Sequence, residues 1–378
     1  MNLSAAIKEY ALYLGYAKIG FTPADDFEGY LEKLEERGAM YDFHWRNPRD
    51  PAAGAKPRSL MPEARTVIVM AWDYAQSHFP EKLLPLVGRV YQARCYYPPA
   101  HSLNGLRFQR MIDFLREQGC QVNPDILIPA RWAAAQAGVT RFGRNTFAYV
   151  DGVGSFVILH TLVIDKELEY DRPTWESRCP ADCRRCLEAC PTKALYEPYK
   201  MNPRLCLAFN AWKNQEGAGC GISPYIPAEI REKMDCHVHG CDICQEVCPR
   251  NHKKLQSRFP ADQFLDLIAG DLTLNNLLTM PEGFFQNRVQ PIMYNYISEP
   301  KYFQRNAAVA LGNLGDPAAG PVLADALSGG DELVRGHAAW ALGRIGGAAA
   351  KKSLEQAALK ESAPENLREI KSALSRMS

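Results

Sequence analysis

The stretch GCDICQEVCPRN, Gly240 to Asn251, sets three thiols within eight residues and closes on Cys-Pro. Upstream, CPADCRRCLEACPTKAL, Cys179 to Leu195, does nearly the same. Sulfur crowded in this way serves either disulfides or metal, and the rest of the chain decides between them. Its 378 residues, 47% hydrophobic and 23% charged, have room for two or three domains with cores of their own. The longest apolar runs, TVIVMAW and SFVILHTLVI, fall far short of the ~20 residues of a membrane span and are rich in Val and Ile, so they are expected to be buried strands. The N-terminal MNLSAAIKEYALYLGYAKIG carries apolar residues at helical spacing interrupted by Lys8 and Glu9. That is neither a secretory h-region nor a twin-arginine leader, and a cytoplasmic location is expected. In that reducing compartment, metal ligation is the leading reading of clustered cysteines among the twelve present. The net charge of +1 neither favours nor excludes nucleic acid.

Two-cluster ferredoxins use C-x2-C-x2-C-x3-C-P, in which three thiolates hold one [4Fe–4S] cluster and the fourth holds the other. Cys183, Cys186, Cys190 and Pro191 fit this spacing, and Cys179 lies one residue further out than the pattern asks, which leaves an unusual ligand at one iron as an alternative. Cys241, Cys244, Cys248 and Pro249 repeat the ending, and Cys206 stands alone between the two runs. The total is eight thiols, the number two cubanes need. Crossing over assigns Cys179, Cys183, Cys186 and Cys248 to one cluster, and Cys190, Cys206, Cys241 and Cys244 to the other. Zinc would call for paired knuckles or Cys/His sets at tetrahedral spacing. Cys236, His237 and His239 form a rival set, read as unused surface side chains. Cys95, Cys120 and Cys220 read as plain thiols. Two adjacent clusters make a one-electron relay that needs an acceptor.

Around this module, residues 1–172 alternate helical and strand patterns, and an α/β or α+β domain is expected. Residues 173–256 are loop-rich, as when metal replaces an apolar core, and residues 257–378 read as helical. The overall class is α+β. AAVALGNLGDPAAGPVLADAL from Ala307 recurs from Ala338 as AAWALGRIGGAAAKKSLEQAA, a period of 31 residues. Ala and Leu recur at helical spacing and a Gly closes each first helix, the pattern of HEAT-like pairs. Two units are few for a free solenoid, so they are expected to stack on helices near Phe284 to Phe303. They serve either as a cap or as a surface for a large partner.

Taken together, CLEACPTKALYEPYKMNPRLCLAF, GCDICQEVCPRN, AGVTRFGRNTF…GSFVIL, the N-terminal LEERGAMYDFHWRNPRDPAAGAKPRSLMPEARTVIVMAWDYA and the terminal HEAT unit resemble the epoxyqueuosine reductase family nearly end to end. That family is related to reductive dehalogenases. The resemblance implies a nitroreductase-like α/β domain that binds cobalamin, a double [4Fe–4S] ferredoxin-like module, and HEAT repeats that help hold tRNA. It implies that a low-potential cluster reduces cobalamin, whose cobalt then supplies the reducing power to remove an epoxide oxygen from a tRNA base. An external low-potential donor of ferredoxin or flavodoxin type, a monomer and no membrane attachment complete the expectation.

The same comparison exposes a departure. The family places an acidic residue before an Arg, ahead of a GWxGKN-type turn. Here Ala130 precedes Arg131, so the expected general acid is absent from its position. Asp125, Tyr97 and His101 are the weak substitutes, and the catalytic acid stays unassigned. Phe142, Gly143, Arg144 and Asn145 match the turn beside the corrinoid, where Arg144 either pairs with its phosphate or amides or is simply solvated. Gly152, Gly154 and Ser155 either admit the corrin ring or form an ordinary hairpin loop. Arg46 to Arg58 is a basic, Pro-rich loop, laid over cofactor or RNA or else solvated. Three functions follow: a cobalamin- and iron–sulfur-dependent reductase of epoxyqueuosine in tRNA; a paralogue that reduces another electrophile, an organohalide or a corrinoid; and a non-catalytic electron carrier. From Lys301 to Met377, ten Lys/Arg stand against eight Asp/Glu, so phosphate attraction at the repeats is expected to be modest.

Overall fold

The computed structural model describes residues 2–42, 51–96, 102–212, 222–293 and 297–377. Tyr97, His101, Cys220 and residues 46–50 of the basic stretch lie outside the described residues, while the rest of that stretch, expected to be a loop, carries two short helices, Pro51–Gly54 and Pro57–Leu60.

Four strands, β1 (Lys18–Pro23), β2 (Thr66–Asp73), β3 (Val122–Asn123) and β6 (Val157–Ile164), form one antiparallel sheet in the order β1-β2-β6-β3. The pattern of TVIVMAW fails to alternate because both faces of β2 are covered. Ile68 and Met70 pack against Ile7 of α1 (Leu3–Tyr13) and Met111 of α3 (Leu103–Glu117). Val67, Val69 and Ala71 pack against Ala133, Ala134 and Ala137 in and beside α4 (Ala130–Gln136). The helix α2 (Glu28–Arg37) flanks this second face through Tyr30 and Leu31. So close is the approach that a Cβ on Gly20 would stand 2.0 Å from Ala137 O, which leaves β1 no alternative residue there. A small hairpin, β4 (Arg141–Phe142) and β5 (Ala148–Tyr149), follows α4.

Among the described residues the cysteine-rich segment has only short helices and two small cores of its own, one of Cys186, Leu187 and Leu195 and one around Phe209, each with half-buried neighbours. It is moored to the sheet through buried polar contacts. Lys254 pairs with Asp73 at the end of β2, Arg89 N and Nη1 donate to Asp242 (2.8 and 3.2 Å), and Ser155 N donates to Asn251 Oδ1 (2.9 Å).

The C-terminal region is helical, as the repeat predicts: α6 (Lys301–Leu314), α7 (Gly320–Gly329), α8 (Glu332–Ile345), α9 (Ala348–Ala358) and α10 (Pro364–Ser375), while α5 (Leu207–Trp212) lies in the cysteine-rich segment. Gly315 and Gly346, with φ +66° and +74°, end α6 and α8 in conformations that favour glycine. The repeats pack on the Leu274–Thr279 helix, with Phe284, Phe285 and Phe303 in the shared core. That core continues through Ile226, Met234 and Leu207 of the cysteine-rich segment to Leu83 and Phe79. Among the described residues no helix is long and apolar enough to cross a membrane. The α+β class and the HEAT-like end are thus the ones expected.

Candidate metal centre and reductase site

Two groups of thiols come together. Burial pushes the Cys186 thiol up to about 11, with Cys248 and Cys179 raising it further, so these three share one neighbourhood; Cys183 lies on the same loop. Burial likewise raises Cys206, Cys241 and Cys244. Cys190 bears on Cys206, Cys206 and Cys190 bear on Cys241, and Cys241 and Cys206 bear on Cys244. Cys186 also acts on Cys244, so the two groups adjoin. The backbone N–H groups of Phe209 and Ala208 stand beside the Cys206 sulfur, and that of Ile243 beside Cys241, and each holds its thiol's pKa down against the effect of burial. Such thiols repel one another as anions and lack a cation among themselves, so iron that neutralises several thiolates at once suits the donor set. Among the described residues no three His, Cys, Asp or Glu side chains are arranged to hold a single metal ion. The rival set does not converge: Cys236 Sγ bonds Asp235, His237 Nδ1 meets Met234 O, and His239 lies between the rings of Tyr91 and Phe303. His239 is fully buried, not a surface side chain, and neither ring nitrogen has a hydrogen-bond partner among the described residues.

The turn matched to the corrinoid edge makes its observed contacts with the cysteine-rich segment. Arg144 Nη1 donates to Cys183 O (2.7 Å), and Asn145 Nδ2 donates to Cys244 O (3.1 Å) and to Tyr149 Oη (3.0 Å). The Cys248 sulfur lies beside the Tyr149 hydroxyl; burial first, then that sulfur, raises the phenol above the ordinary range. Asn145 therefore links the two thiol groups through one side chain. Gly143 is required because a Cβ there would stand 2.3 Å from the Tyr149 ring, and Thr146 closes the turn at φ +67°, unusual for a β-branched residue. Gly154 and Ser155 interlock with the same segment: Ser155 Oγ donates to Gln245 Oε1 (2.9 Å), and Asn251 Nδ2 donates to Ser155 Oγ (2.8 Å).

Ala130 opens α4, half-buried, after Pro129. Arg131 is exposed, with Nη1 to Thr146 O at 3.4 Å and its guanidinium 5.0 Å over the Phe147 ring. Its charge bears on both Tyr41 and Cys206. Asp125 is exposed, its N–H turned into Asn123, and no hydrogen bond joins it to α4 in the described contacts. Tyr41, which the sequence reading did not single out, is half-buried, donates to Met201 O (2.9 Å), and has a phenol raised chiefly by burial. Nothing in its local sequence marks it; only the fold brings it to Arg131 and Cys206.

A family model described as a 4Fe-4S double cluster binding domain matches residues 178–251, and one for HEAT repeats matches residues 292–375. The epoxyqueuosine reductase of Pseudomonas aeruginosa strain PAO1 is 30% identical over 370 residues, covering 91% of this chain and 95% of its own. A structure of epoxyqueuosine reductase from Bacillus subtilis, with its aspartate-bearing catalytic loop swung out of the active site, aligns with TM-score 0.83 at 26% identity over 100% of this chain and 99% of that one. An epoxyqueuosine reductase crystallised with an epoxyqueuosine-modified tRNA-Tyr stem loop aligns equally well, TM-score 0.83 at 26% identity, over 99% and 98% of the two chains.

Proposed function

This chain belongs to the epoxyqueuosine reductase family, and we propose that it reduces an electrophilic group on a tRNA anticodon-loop base, epoxyqueuosine being the first substrate to test. It is an oxidoreductase whose cofactors are two [4Fe–4S] clusters and cobalamin. In the proposed wiring, Cys179, Cys183, Cys186 and Cys248 hold one cluster and Cys190, Cys206, Cys241 and Cys244 the other. The observation that supports it is the grouping of Cys186 with Cys248 and Cys179, and of Cys206 with Cys190, Cys241 and Cys244. When bound, the clusters supply single electrons at low potential and the corrin-held cobalt supplies the reductant for the substrate. The chain's own residues do the rest. Asn145 and Arg144 fix the turn against both thiol groups, Tyr149 sets its hydroxyl beside the Cys248 sulfur, and Arg131 keeps a positive field beside Cys206 and Tyr41. The cobalamin-facing set, Arg131, Phe142, Gly143, Arg144, Asn145, Gly154 and Ser155, stays part of this proposal, as do the division at residues 172 and 256, a monomeric cytoplasmic protein and a ferredoxin- or flavodoxin-type donor.

Ala130 favours a second reading, a paralogue that reduces a different electrophile. An alanine has no proton to give, whereas general acid catalysis is worth ~10²–10⁴-fold. Anaerobic reconstitution with iron, sulfide and cobalamin, followed by turnover of epoxyqueuosine tRNA with a chemical reductant, separates the two. Queuosine formation by the wild type supports the first reading; cobalt reduction with no product supports the second. The Ala130→Asp variant then reports whether the missing acid alone accounts for the loss.

A further inference from the structure

The two residues Arg305 and Asn306 in α6 are fully buried, yet they point away from the apolar repeat core into the cysteine-rich segment. Arg305 Nη1 donates to Pro224 O (2.6 Å) and Nη2 to Asn210 O (3.2 Å) and Ala211 O (2.9 Å), while Nε donates to Asn306 Oδ1 (2.9 Å). Asn306 Nδ2 donates to Ala211 O (2.7 Å) and to Val238 O (2.7 Å). The chain from there to sulfur is short. Asn210 Nδ2 donates to Cys206 O and Arg204 O, both at 2.9 Å, so α5 and the loop that presents Cys206 move together. Val238 leads through His239 and Gly240 to Cys241; the Phe303 ring of α6 lies 5.3 Å from that of His239, and Gly88 N holds His239 O (2.8 Å). One turn of a repeat helix thus grips the backbone beside two cysteines that are far apart in sequence.

Burying a guanidinium is expensive, and burial holds this one's pKa down to about 9. An apolar side chain would fill the same space without that cost if packing were all that mattered. Carbonyl-directed donors do what apolar packing does not: they set the angle and register of main chain that has no strand or long helix to set it.

We propose that Arg305 and Asn306 are positioning residues that register Cys206 against Cys241 and so complete the ligand set of the second cluster. The first helical repeat is then a brace for the electron path as well as a surface. The inference rests on the cysteine assignment under the proposed function.

The test compares Asn306→Leu and Asn306→Asp with Glu361→Gln in the full chain, all purified without oxygen and reconstituted with iron and sulfide. Asn306→Asp keeps an acceptor for Arg305 and sets carboxylate oxygens against the carbonyls of Ala211 and Val238, so it serves where Leu disturbs folding. Glu361→Gln loosens the repeats away from the cysteines. Both Asn306 variants are expected to keep the wild-type circular dichroism and either to lose about half the wild-type iron, with one of the two reduced-cluster electron paramagnetic resonance signals missing, or to lose about one iron in eight, with that cluster converted to a three-iron form. Glu361→Gln is expected to keep all its iron. Full iron and unchanged signals in both Asn306 variants overturn the proposal, as does equal iron loss in Glu361→Gln, which marks general loosening. A wild type that itself holds only half the iron refutes the cysteine assignment first, and this inference with it.

Discussion

Replacing Tyr149 with Phe removes one oxygen from the heart of the site and leaves the ring. The ring is fixed by Gly143 below and by the Arg250 guanidinium 4.3 Å from its centroid, so the substitution leaves the β4–β5 hairpin in place. Lost are the O–H beside the Cys248 sulfur, placed to donate to that sulfur as a cluster-bound thiolate, and the acceptor for Asn145 Nδ2 (3.0 Å). A hydrogen bond to a charged acceptor contributes ~1.5–3 kcal/mol. The reduced cluster is the more negative, so its sulfur is the better acceptor, and the bond raises the potential. If about half of that energy is gained only on reduction, the potential is raised by roughly 30–60 mV, at ~59 mV per 1.4 kcal/mol for one electron. Tyr149→Phe is therefore expected to lower the midpoint of the cluster bound by Cys248 by that amount, and to shift the other cluster much less. An anaerobic redox titration monitored by electron paramagnetic resonance reads both. Two unmoved midpoints, or a larger shift at the cluster bound by Cys206, would refute the reasoning.

Cys206→Ser is expected to halve the iron content and to spare the cluster of Cys179, Cys183, Cys186 and Cys248, as counted by iron analysis; an unchanged count would remove Cys206 from the ligand set. Glu361 accepts from Arg335 Nε and Nη2 (2.8 and 2.9 Å), from the N–H groups of Ser362 and Ala363, and from Asn366 Nδ2 (each 3.0 Å), and these bonds, led by Arg335, hold its pKa down to about 2. A depressed carboxylate stabilises the fold above its unfolded value of ~4.3 and loses that contribution as pH falls toward 2, a shift of about two units or ~3 kcal/mol. Glu361→Gln should thus lower the melting temperature at neutral pH and flatten the acid limb between about pH 4.5 and 2; a wild-type acid limb in the variant would contradict this. Where wild type turns over poorly, Ala130→Asp is expected to raise single-turnover product formation by ~10²-fold or more, and no gain would assign the proton to another group or to none.

What the sequence disclosed and what it concealed divide along the range of the interactions. Thiol spacing within Cys183–Pro191 and Cys241–Pro249 is local, because short covalent links set where neighbouring thiols can stand, so the motif is readable before any fold is known. The repeat from Ala307 is readable for the same reason: the Ala and Leu period is local, and Gly315 ends its helix where the pattern places it. Tyr149, Tyr41 and the Arg305–Asn306 pair carry no such mark. Each matters through a partner from a distant segment, Cys248, Arg131 and Ala211 respectively, and no periodicity in NTFAYV, GAMYD or FQRNAA announces it. His239 misleads in the opposite direction. It sits in the polar run DCHVHGC, which reads as surface, yet Tyr91 and Phe303 enclose it because two remote helices close over that run.

The alanine at position 130 belongs to neither class, and its physics sharpens what it means. It occupies the first residue of α4, where alanine is a strong helix former and no carboxylate is needed for a cap or an ion pair in the described contacts. Arg131 beside it turns to Thr146 O and the Phe147 ring, and keeps those contacts with or without an acidic neighbour. An exchange between aspartate and alanine here is therefore nearly silent for folding, so stability exerts no hold on the residue and only chemistry does. The thiols, by contrast, are tied to other segments through the buried contacts of Asn145, Asn251, Arg305 and Asn306. Electron delivery and proton delivery are thus built on separate foundations in this molecule. A lineage can change the second, and with it the group that is reduced, while the first stays intact.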